Sequence, residues 1–309
     1  MPHVPDSDGG RSADLSVAQL HTFRQVMQEG GYAAAAKVSH LSVPSVWQHI
    51  RSLEKVYGVQ LFDREGRQVR PTEAARRLYE QVDRILVQLE STFDLVDASA
   101  GDKTIRIVTG VRMMLEDLAG PLAAFRQRHP NRLVIRQGNE HRAEELLLAD
   151  EVDLAMTLEP GLKQASPYLH YEPAYTVEFL AVAKKGHPYA TARSGSLKEL
   201  AKHDLIVTTT GTHGRDALDQ AFHREGLKAR IVAETDNSAF TIACVAAGMG
   251  VGILAGRANG DLCRKLATRS MNKHFGRRRI SWMWRKGRLL SEPMLELIEA
   301  VKQLDRAES

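Results

Sequence analysis

The stretch "SVPSVWQHIRSLEKVYG", residues 42–58, decides the fold of the N-terminal region. Ser42 is a favourable N-cap residue, and Pro44 lies in the first helical turn, where its missing N–H costs nothing. Gly58 is a typical helix stop. The apolar residues between them recur at helical spacing and predict a core-facing stripe, formed by Val46, Ile50, Leu53 and Tyr57. The stretch therefore predicts one amphipathic helix.

The opposite face of this helix carries hydrogen-bond donors and acceptors, and the one carboxylate, Glu54, lies near the apolar stripe. A helix that only covers a core usually carries charges of both signs on its outer face. The pattern therefore favours a helix that reads base edges in the major groove of DNA, with a plain helical bundle as the alternative for this stretch alone. The candidate DNA-contacting residues of the helix are Ser42, Val43, Pro44, Ser45, Gln48, His49, Arg51 and Ser52.

The flanking segments complete a winged helix-turn-helix domain, predicted over residues 14–72. Upstream, "LSVAQLHTFRQVMQEGG" (15–31) opens with an S-x-x-Q capping box at Ser16, and "YAAAAKVSH" (32–40) follows as a short helix. Downstream, "VQLFDREGRQVRPT" (59–72) predicts a β-hairpin, the wing. Three arginines of the wing suit DNA phosphates, unless the hairpin is only a solvated surface: Arg64, Arg67 and Arg70.

A long linker helix is predicted over residues 73–100, with Thr72 as its cap. Its apolar residues are spaced alternately four and three apart, which is the 3.5-residue period of a two-stranded coiled coil. A dimer of this kind presents two reading heads to a roughly two-fold DNA site. An amphipathic helix packed within its own chain is the alternative. The candidate dimerisation residues are Leu78, Val82, Ile85, Leu89 and Val96.

Composition limits the class of protein. The 309 residues are too many for one compact core, and the net charge of +4 is compatible with DNA binding without establishing it. No apolar run approaches the ~18 residues needed to span a bilayer, so no membrane partner is expected. Residues 1–13 lack a signal-peptide core and predict a disordered leader. Two cysteines, Cys244 and Cys263, fit a reducing cytoplasm and give no metal-ligand spacing; neither metal nor cofactor is expected.

The remaining chain alternates short apolar strands with helical stretches. "TIRIVTG" (104–110), "RLVIRQG" (132–138) and "DLAMTLE" (153–159) are typical of buried strands, and the segments between them of helices. A second set of such segments follows from residue 175 to residue 255. Alternation of this kind predicts a parallel α/β layer.

The stretch "TTTGTHGRDALD" (208–219) suggests a ligand site. Hydroxyl groups and free N–H groups at the start of a helix attract an anion, and ligands of open α/β sheets gather at the carboxyl ends of strands. Thr109 and Gly110 end a strand in the same way. Ordinary caps and turn residues are the alternative. The candidate effector-binding residues are Thr109, Gly110, Arg112, Arg136, Thr209, Thr210, Gly211 and Thr212.

From the glycine turn to the hairpin, the sequence "GGYAAAAKVSHLSVPSVWQHIRSLEKVYGVQLFDREGRQVRPTEAA" resembles the LysR-type transcriptional regulators. The family pattern matches at Ser42, Pro44, Ile50, Leu53, Glu54, Gly58, Leu61, Phe62, Arg64, Gly66, Arg67 and Thr72. Three positions depart from it: Val43 where glutamine is common, Trp47 where a small residue is common, and Gln48 where arginine is frequent. The operator sequence is therefore not transferable. We expect Trp47 to pack beside the first helix, with contact to a thymine methyl group or sugar as the alternative.

The resemblance implies a two-lobed effector domain like periplasmic solute-binding proteins, over residues 101–309. Lobe I is expected at 103–160 and 268–309, and lobe II at 161–267. It also implies an effector bound between the lobes, dimers that pair into tetramers, and RNA polymerase as a partner.

"GTHGRDALDQAF" and "AAGMGVGILA" resemble the sulfur-assimilation branch of the family most, which implies a small sulfur-containing acid or oxyanion as effector. Arg112, Met113 and His213 depart from that branch.

The expected function is therefore cytoplasmic, sequence-specific regulation of transcription controlled by a small, anionic effector. A regulator without an effector, a solute-binding protein and an enzyme are the alternatives, but the sequence lacks the H-E-x-x-H, G-x-S-x-G and Walker patterns. "GVGILA" satisfies a nucleotide-binding pattern in the wrong context, after a helical stretch. The run from Arg264 to Arg288 has ten Lys or Arg and no acid, and predicts a solvated face rather than a second DNA- or subunit-facing surface.

Overall fold

The computed structural model describes residues 14–65, 68–96, 104–160, 165–258 and 260–307. The chain splits into two compact units, one of Met1–Val96 with Lys286–Leu289, the other of Asp97–Arg285 with Leu290–Ser309. Within the described ranges, no helix is long and apolar enough to cross a membrane. The predicted leader, the tip of the wing with Gly66 and Arg67, and residues 97–100 of the predicted linker lie outside the described residues.

The N-terminal unit is a three-helix domain with a hairpin and a long helix. Its elements are α1 (Val17–Glu29), α2 (Tyr32–Val38), α3 (Val43–Tyr57), β1 (Phe62–Glu65), β2 (Gln68–Pro71) and α4 (Glu73–Val96). The capping box at Ser16 is present, and the Ser42 hydroxyl caps α3 by accepting from the Ser45 N–H at 3.1 Å. Gly58 ends α3 with a φ of 68°, a conformation that glycine adopts at little cost. Local sequence signals therefore set these helix ends.

The core of this unit lies under α3. Val46, Ile50 and Leu53 are at most 1% exposed and pack with Phe23 of α1. The prediction that Tyr57 continues this stripe is wrong, because its side chain lies beyond the core and is 41% exposed.

The predicted coiled-coil seam of α4 has a part buried in the domain core and a part that is exposed. Val82 is 1% exposed and belongs to the domain core, with Leu78 packed against it. For these two residues the alternative of packing within the chain applies. The later apolar side chains are exposed: Ile85, Leu89, Phe93 and Val96. The available apolar strip therefore begins at Ile85 and includes Phe93, which the seam prediction omitted.

The second unit is built on one mixed sheet with the strand order β4-β3-β5-β11-β6-β9-β7-β8, and with β10 beside β6. The strands are β3 (Ile105–Thr109), β4 (Leu133–Gln137), β5 (Leu154–Leu158), β6 (Leu169–Lys184), β7 (Asp204–Thr208), β8 (Arg230–Thr235), β9 (Val251–Gly256), β10 (Leu266–Ser270) and β11 (Arg277–Arg285). Strand β3 pairs in parallel with β4 and β5, and β7 pairs in parallel with β8 and β9. The two parallel groups are the centres of two lobes.

Helices cover both groups of strands. They are α5 (Val111–Met113), a π-helical segment (Met114–Leu118), α6 (Ala119–Arg128), α7 (Glu140–Leu148), α8 (Pro188–Thr191), α9 (Leu197–Leu200), α10 (His213–Arg224), α11 (Ser238–Ala246), α12 (Asn272–Phe275) and α13 (Glu292–Ala307), with a 3-10 turn at Asp261–Cys263. The buried side chains of strands and helices form one large cluster that includes Phe125, Phe179 and Trp282. The alternation predicted from the sequence is thus an α/β fold.

Strand β6 serves both lobes. Its residues from Leu169 to Glu178 pair with β11, while Glu178 to Lys184 pair with β9 and β10. The start of β6 therefore belongs with lobe I and β10 with lobe II, so the lobe boundaries differ from those predicted at residues 161 and 268. The strand prediction began at residue 175, because Pro173 and the polar residues before it do not resemble a buried strand.

The basic run divides between exposed and internal roles. Lys265, Lys273 and Arg277 are exposed, as a solvated face requires. Arg285 is 7% exposed, however, and Arg269 donates to the Ala190 carbonyl at 3.0 Å. The solvated-face prediction therefore holds for only part of the run, since strands β10 and β11 place some of its residues inside the sheet.

Candidate DNA-reading helix and ligand cavity

The outer face of α3 is open in the N-terminal unit. It carries polar and basic side chains together with two large apolar ones, Val43 and Trp47, which are 45% and 41% exposed. The exposed residues of this face are Ser42, Val43, Pro44, Trp47, Gln48, Arg51 and Lys55. These residues lie in the helix that the sequence predicted to enter the major groove.

Two of the candidate DNA-contacting side chains bond to α1. The Thr22 hydroxyl and His49 Nδ1 lie 2.8 Å apart, and the Ser52 hydroxyl accepts from Gln19 Nε2 at 3.0 Å. Both residues are half-buried. They lie on the flank of α3 where the neighbouring helix packs, a contact that helical spacing alone does not reveal. His49 and Ser52 therefore position α3.

The single carboxylate of α3 is turned toward the wing. Glu54 Oε1 accepts from the backbone N–H of Leu61 at 2.9 Å and from that of Phe62 at 3.4 Å. Its side chain is 10% exposed, whereas that of Arg51, 3.2 Å from Oε2, is 56% exposed. The outer face consequently keeps its positive charge, and the helix is tied to the hairpin.

Trp47 is 41% exposed, and the Arg51 guanidinium carbon lies 5.2 Å from the centroid of its indole ring, which is a cation–π arrangement. The indole is therefore only partly covered by the protein, so packing and contact with DNA both remain open to it.

The wing offers one described basic side chain. Arg70 is exposed on β2, opposite Asp63 of β1. Arg64 lies on β1, but its side chain and all of Arg67 are outside the described residues.

A cavity of about 120 Å³ lies between the two lobes of the second unit. Its walls come from the carboxyl ends of parallel strands and the helix starts that follow them. Asn139, Thr212 and Asn237 cap α7, α10 and α11, and all three line the cavity. Each side-chain oxygen accepts from a backbone N–H of the first turn, at 2.9, 3.3 and 3.0 Å. Three helix N-termini, with their partial positive charge, thus converge on one space.

Three of the eight candidate effector residues line this cavity: Gly110, Arg112 and Thr212. Thr109 is buried and donates to the Met156 carbonyl at 2.9 Å, and Arg136 pairs with Glu151 at 2.7 Å on the surface. The last three, Thr209, Thr210 and Gly211, lie outside the lining residues, and Thr210 and Gly211 are exposed.

Sequence reasoning missed several lining residues: Gln137, Gly138, Asn139, Glu140, Thr208, Arg215, Asp236, Asn237 and Ser238. Most follow strands β4 and β8, so the rule that selected Thr109 and Gly110 would have found them if it had been applied to every strand end.

Both arginines in the cavity wall are held by carboxylates. Arg112 is 5% exposed and lies 3.1 Å from Glu116 and 2.9 Å from Asp117. Arg215 lies 2.9 Å from Asp219 and 2.8 Å from Glu234. Their charges are therefore compensated within the protein. The Thr212 hydroxyl donates to the Thr209 carbonyl at 3.0 Å, so the positive ends of the helices are what the cavity offers to an anion.

The Arg112 cluster joins the lobes behind the cavity. The Tyr175 hydroxyl of β6 donates to Asp117, and Arg257, which follows β9, lies 3.6 Å from the same carboxylate. Burial, with Asp117 adding to it, raises the pKa of Tyr175, so the hydroxyl remains a donor. Burial lowers the pKa of Arg112, but Tyr175 and the two carboxylates outweigh this effect and the net shift is upward. Tyr175 is thus kept protonated and Arg112 is kept charged.

Apolar side chains complete the cavity: Val111, Met113, Leu158, Phe179, Val207, Leu218, Ile253, Leu254 and Ile280. A ligand here meets the caps and first-turn N–H groups of the helix starts, two acidic residues, Glu140 and Asp236, and a hydrocarbon wall elsewhere. Among the described residues, no group of three His, Cys, Asp or Glu is placed to hold a metal ion.

A winged helix-turn-helix domain with an open, donor-rich helix, and a two-lobed α/β domain around a cavity, define a ligand-responsive DNA-binding regulator. The family described as bacterial regulatory helix-turn-helix protein, lysR family, matches residues 17–76, and the LysR substrate binding domain matches residues 99–306. The chain belongs to the LysR family of transcriptional regulators. The family prediction is confirmed, and so is the fold class.

Individual similar proteins are consistent with this family assignment. The chain is 32% identical over 246 residues to the HTH-type transcriptional regulator CysB of Burkholderia cenocepacia, covering 76% of this chain and 77% of that protein. It is 27% identical over 274 residues to the regulator cbl of Escherichia coli, covering 87% and 86%. The cofactor-binding domain of the Cbl transcriptional regulator is a similar solved structure, with a TM-score of 0.58 and 25% identity, over 67% of this chain and 93% of that one. These relatives support the resemblance to the sulfur-assimilation branch.

Proposed function

We propose that this LysR regulator binds DNA as a dimer, with the exposed face of α3 in the major groove, and that a small organic acid between the lobes controls it. The orientation of Glu54 carries the DNA assignment. The Leu61 and Phe62 N–H groups hold Glu54 Oε1, and the Glu54 side chain is only 10% exposed, although Oε2 lies 3.2 Å from Arg51. The exposed face beside it therefore presents Arg51, Gln48 and Lys55. Such a face complements the acceptor-rich edge of guanine and the phosphates.

The exposed end of α4 supports the dimer. Ile85, Phe93 and Val96 are 53%, 73% and 84% exposed, although they recur at helical spacing on one helix. A second α4 packed along this strip would bury them, as in a coiled coil. Pairing of dimers into tetramers and contact with RNA polymerase extend this proposal, and the place of action is the cytoplasm, where such DNA lies.

The cavity supports an effector held by neutral donors. Its arginines already have carboxylate partners, so the negative group of an acid would lie against Thr208, Thr212 and the first-turn N–H groups of α10 and α11. The apolar wall around Phe179 and Ile253 favours an organic molecule over a bare inorganic oxyanion. Binding would shift a pre-existing balance between lobe arrangements and thereby the spacing of the reading heads. No catalytic step is part of this proposal.

A regulator that works without an effector is the second candidate, and the compensated arginines favour it. Because Arg112 and Arg215 already have carboxylate partners, neither arginine needs an anionic ligand to balance its charge.

A gel-shift titration tests the DNA assignment. The full-length protein is titrated with the DNA upstream of its own gene and with random DNA, at two salt concentrations. We expect tight binding that prefers the upstream DNA, and Arg51→Ala to lose that preference while Arg126→Ala, an exposed arginine on α6, retains it. Equal affinity for both DNAs under all conditions would refute the assignment.

Thermal unfolding with added acids tests the cavity. Sulfate, methanesulfonate and butyrate share an acidic group and differ in apolar surface. We expect the two organic acids to raise the melting temperature more than sulfate, and Thr212→Val to reduce that rise. No shift with any acid in the wild-type protein would favour the regulator without an effector.

A further inference from the structure

We infer that Val43 and Trp47 read thymine methyl groups, which makes them the residues that set the operator preference of this regulator. The inference rests on the proposed function, since it requires α3 in the major groove. It concerns the positions at which the sequence departs from its family pattern, so a relative's operator does not supply the answer.

The two side chains form one apolar ridge on the reading helix. They are four residues apart, and residues so spaced lie on one helix face about 6 Å from each other. Both are more than 40% exposed, whereas Val46 and Ile50, the apolar residues beside them, are at most 1% exposed. The ridge lies in the N-terminal half of α3, the half that reaches base edges in helix-turn-helix proteins.

The indole is held in place by contacts that begin at the wing. The backbone N–H groups of Leu61 and Phe62 fix Glu54, Glu54 holds Arg51 at 3.2 Å, and the Arg51 guanidinium lies over the Trp47 ring. A side chain fixed before binding loses less conformational entropy on contact with a partner. Trp47 is therefore placed for recognition by the same contacts that place Arg51.

DNA fits this ridge better than an apolar protein surface does. The ridge is bordered by Gln48, Arg51 and Lys55, and the helix carries no exposed carboxylate. Thymine is the one standard base with a methyl group in the major groove. Base pairs are stacked at about 3.4 Å, so side chains about 6 Å apart match methyl groups one or two base pairs apart. Arg51, at the end of the ridge, is then placed for a neighbouring guanine.

Deoxyuridine substitution tests the inference without altering the protein. In the preferred DNA from the gel-shift experiment, each thymine is replaced singly by deoxyuridine, which removes only the methyl group. We expect one or two positions in each half-site to lower wild-type affinity about fourfold, the value of one buried methyl group. Val43→Ala and Trp47→Ala should each lose the sensitivity at one of these positions, whereas Lys55→Ala should keep both.

Three outcomes separate the hypotheses. If the wild-type protein prefers no DNA, the proposed function itself fails. Specific binding that tolerates deoxyuridine at every position would overturn the thymine assignment alone, and so would variants that keep the full sensitivity of the wild type. Melting temperatures of Val43→Ala and Trp47→Ala should stay near the wild-type value, because both side chains lie outside the core.

Discussion

The sequence predicted that Arg51 contacts DNA and that Arg112 contacts an effector, but the two arginines have different surroundings in the structure. Arg51 has a 56% exposed side chain, one carboxylate partner and an indole ring beneath it. Arg112 has a 5% exposed side chain and lies between Glu116 and Asp117. The first is available to a partner, and the second is part of the internal frame of the effector domain. Both arginines have a carboxylate partner, so it is the exposure of the guanidinium that distinguishes the arginine available to a ligand from the arginine of the internal frame.

The largest expected effect is the loss of folding stability when the buried ion pair of Arg112 and Asp117 is removed. Asp117→Ala leaves the buried Arg112 with Glu116 as its remaining carboxylate and removes the acceptor of the Tyr175 hydroxyl. Removing one partner of a buried ion pair costs about 3–5 kcal/mol of unfolding free energy. Urea unfolding of the full chain measures it. Glu151→Ala, which removes the surface partner of Arg136, is the matched control and should cost less than about 1 kcal/mol. Equal costs would show that burial does not distinguish the two pairs.

The second-largest expected effect is the loss of DNA affinity when the exposed arginine, Arg51, is replaced. Arg51→Ala should lower affinity for the preferred DNA about 10- to 100-fold, since a bidentate contact to guanine is worth about 1–3 kcal/mol of discrimination. Random DNA should lose much less. Fluorescence anisotropy with both DNAs measures the ratio, and an equal loss on both would make Arg51 a phosphate contact instead.

A smaller, uniform effect is expected from the wing. Arg70→Ala should weaken binding to preferred and random DNA alike and should reduce the slope of log affinity against log salt by about one. Titrations at four salt concentrations give this slope. A loss confined to the preferred DNA would contradict the phosphate assignment.

The smallest expected effect is the pH response of a half-buried ion pair, Lys302 and Glu172. The hydrogen bond from Lys302 is the main cause of a lowered pKa for the Glu172 carboxylate. Because the folded pKa lies below the ordinary value of 4.5, the pair stabilises the fold above that pH and the contribution disappears as pH falls through the folded pKa. The difference in urea midpoint between wild type and Lys302→Met should therefore be small at pH 7 and shrink as pH falls from 4.5 through the folded pKa. A difference that grows on acidification would reverse the sign.

The N-terminal unit was predictable because its signals are local. Ser42, Pro44 and Gly58 specify both ends of α3 within the helix itself, and the fixed spacings over about fifty residues identify the family. The roles of His49 and Ser52 were not predictable in the same way. Their direction depends on α1, which approaches α3 through contacts 27 and 33 residues apart in sequence.

The cavity was only partly predictable for a related reason. Gly110 and Thr212 could be found because each follows an apolar strand and begins a helix. Asn139 and Asn237 likewise follow strands and begin helices, so the sequence carries the same signal at the ends of β4 and β8. The positive charge of Arg215, a residue of α10, is partly compensated by Glu234 of β8. These two residues are close to each other only in the folded domain.

The pairing of β6 with β11 has a consequence for how the chain folds while the ribosome is synthesising it. Leu169 meets Arg285 across this pairing, so more than a hundred residues must be synthesised between the two partners. Lobe I thus has its first three strands early and waits for β11 until nearly the whole chain is made. During that interval the edge of β5, whose residues are all buried in the finished fold, is uncovered. The nascent effector domain should therefore depend on chaperones for this period, and should become protease-resistant only after residue 285 has left the exit tunnel.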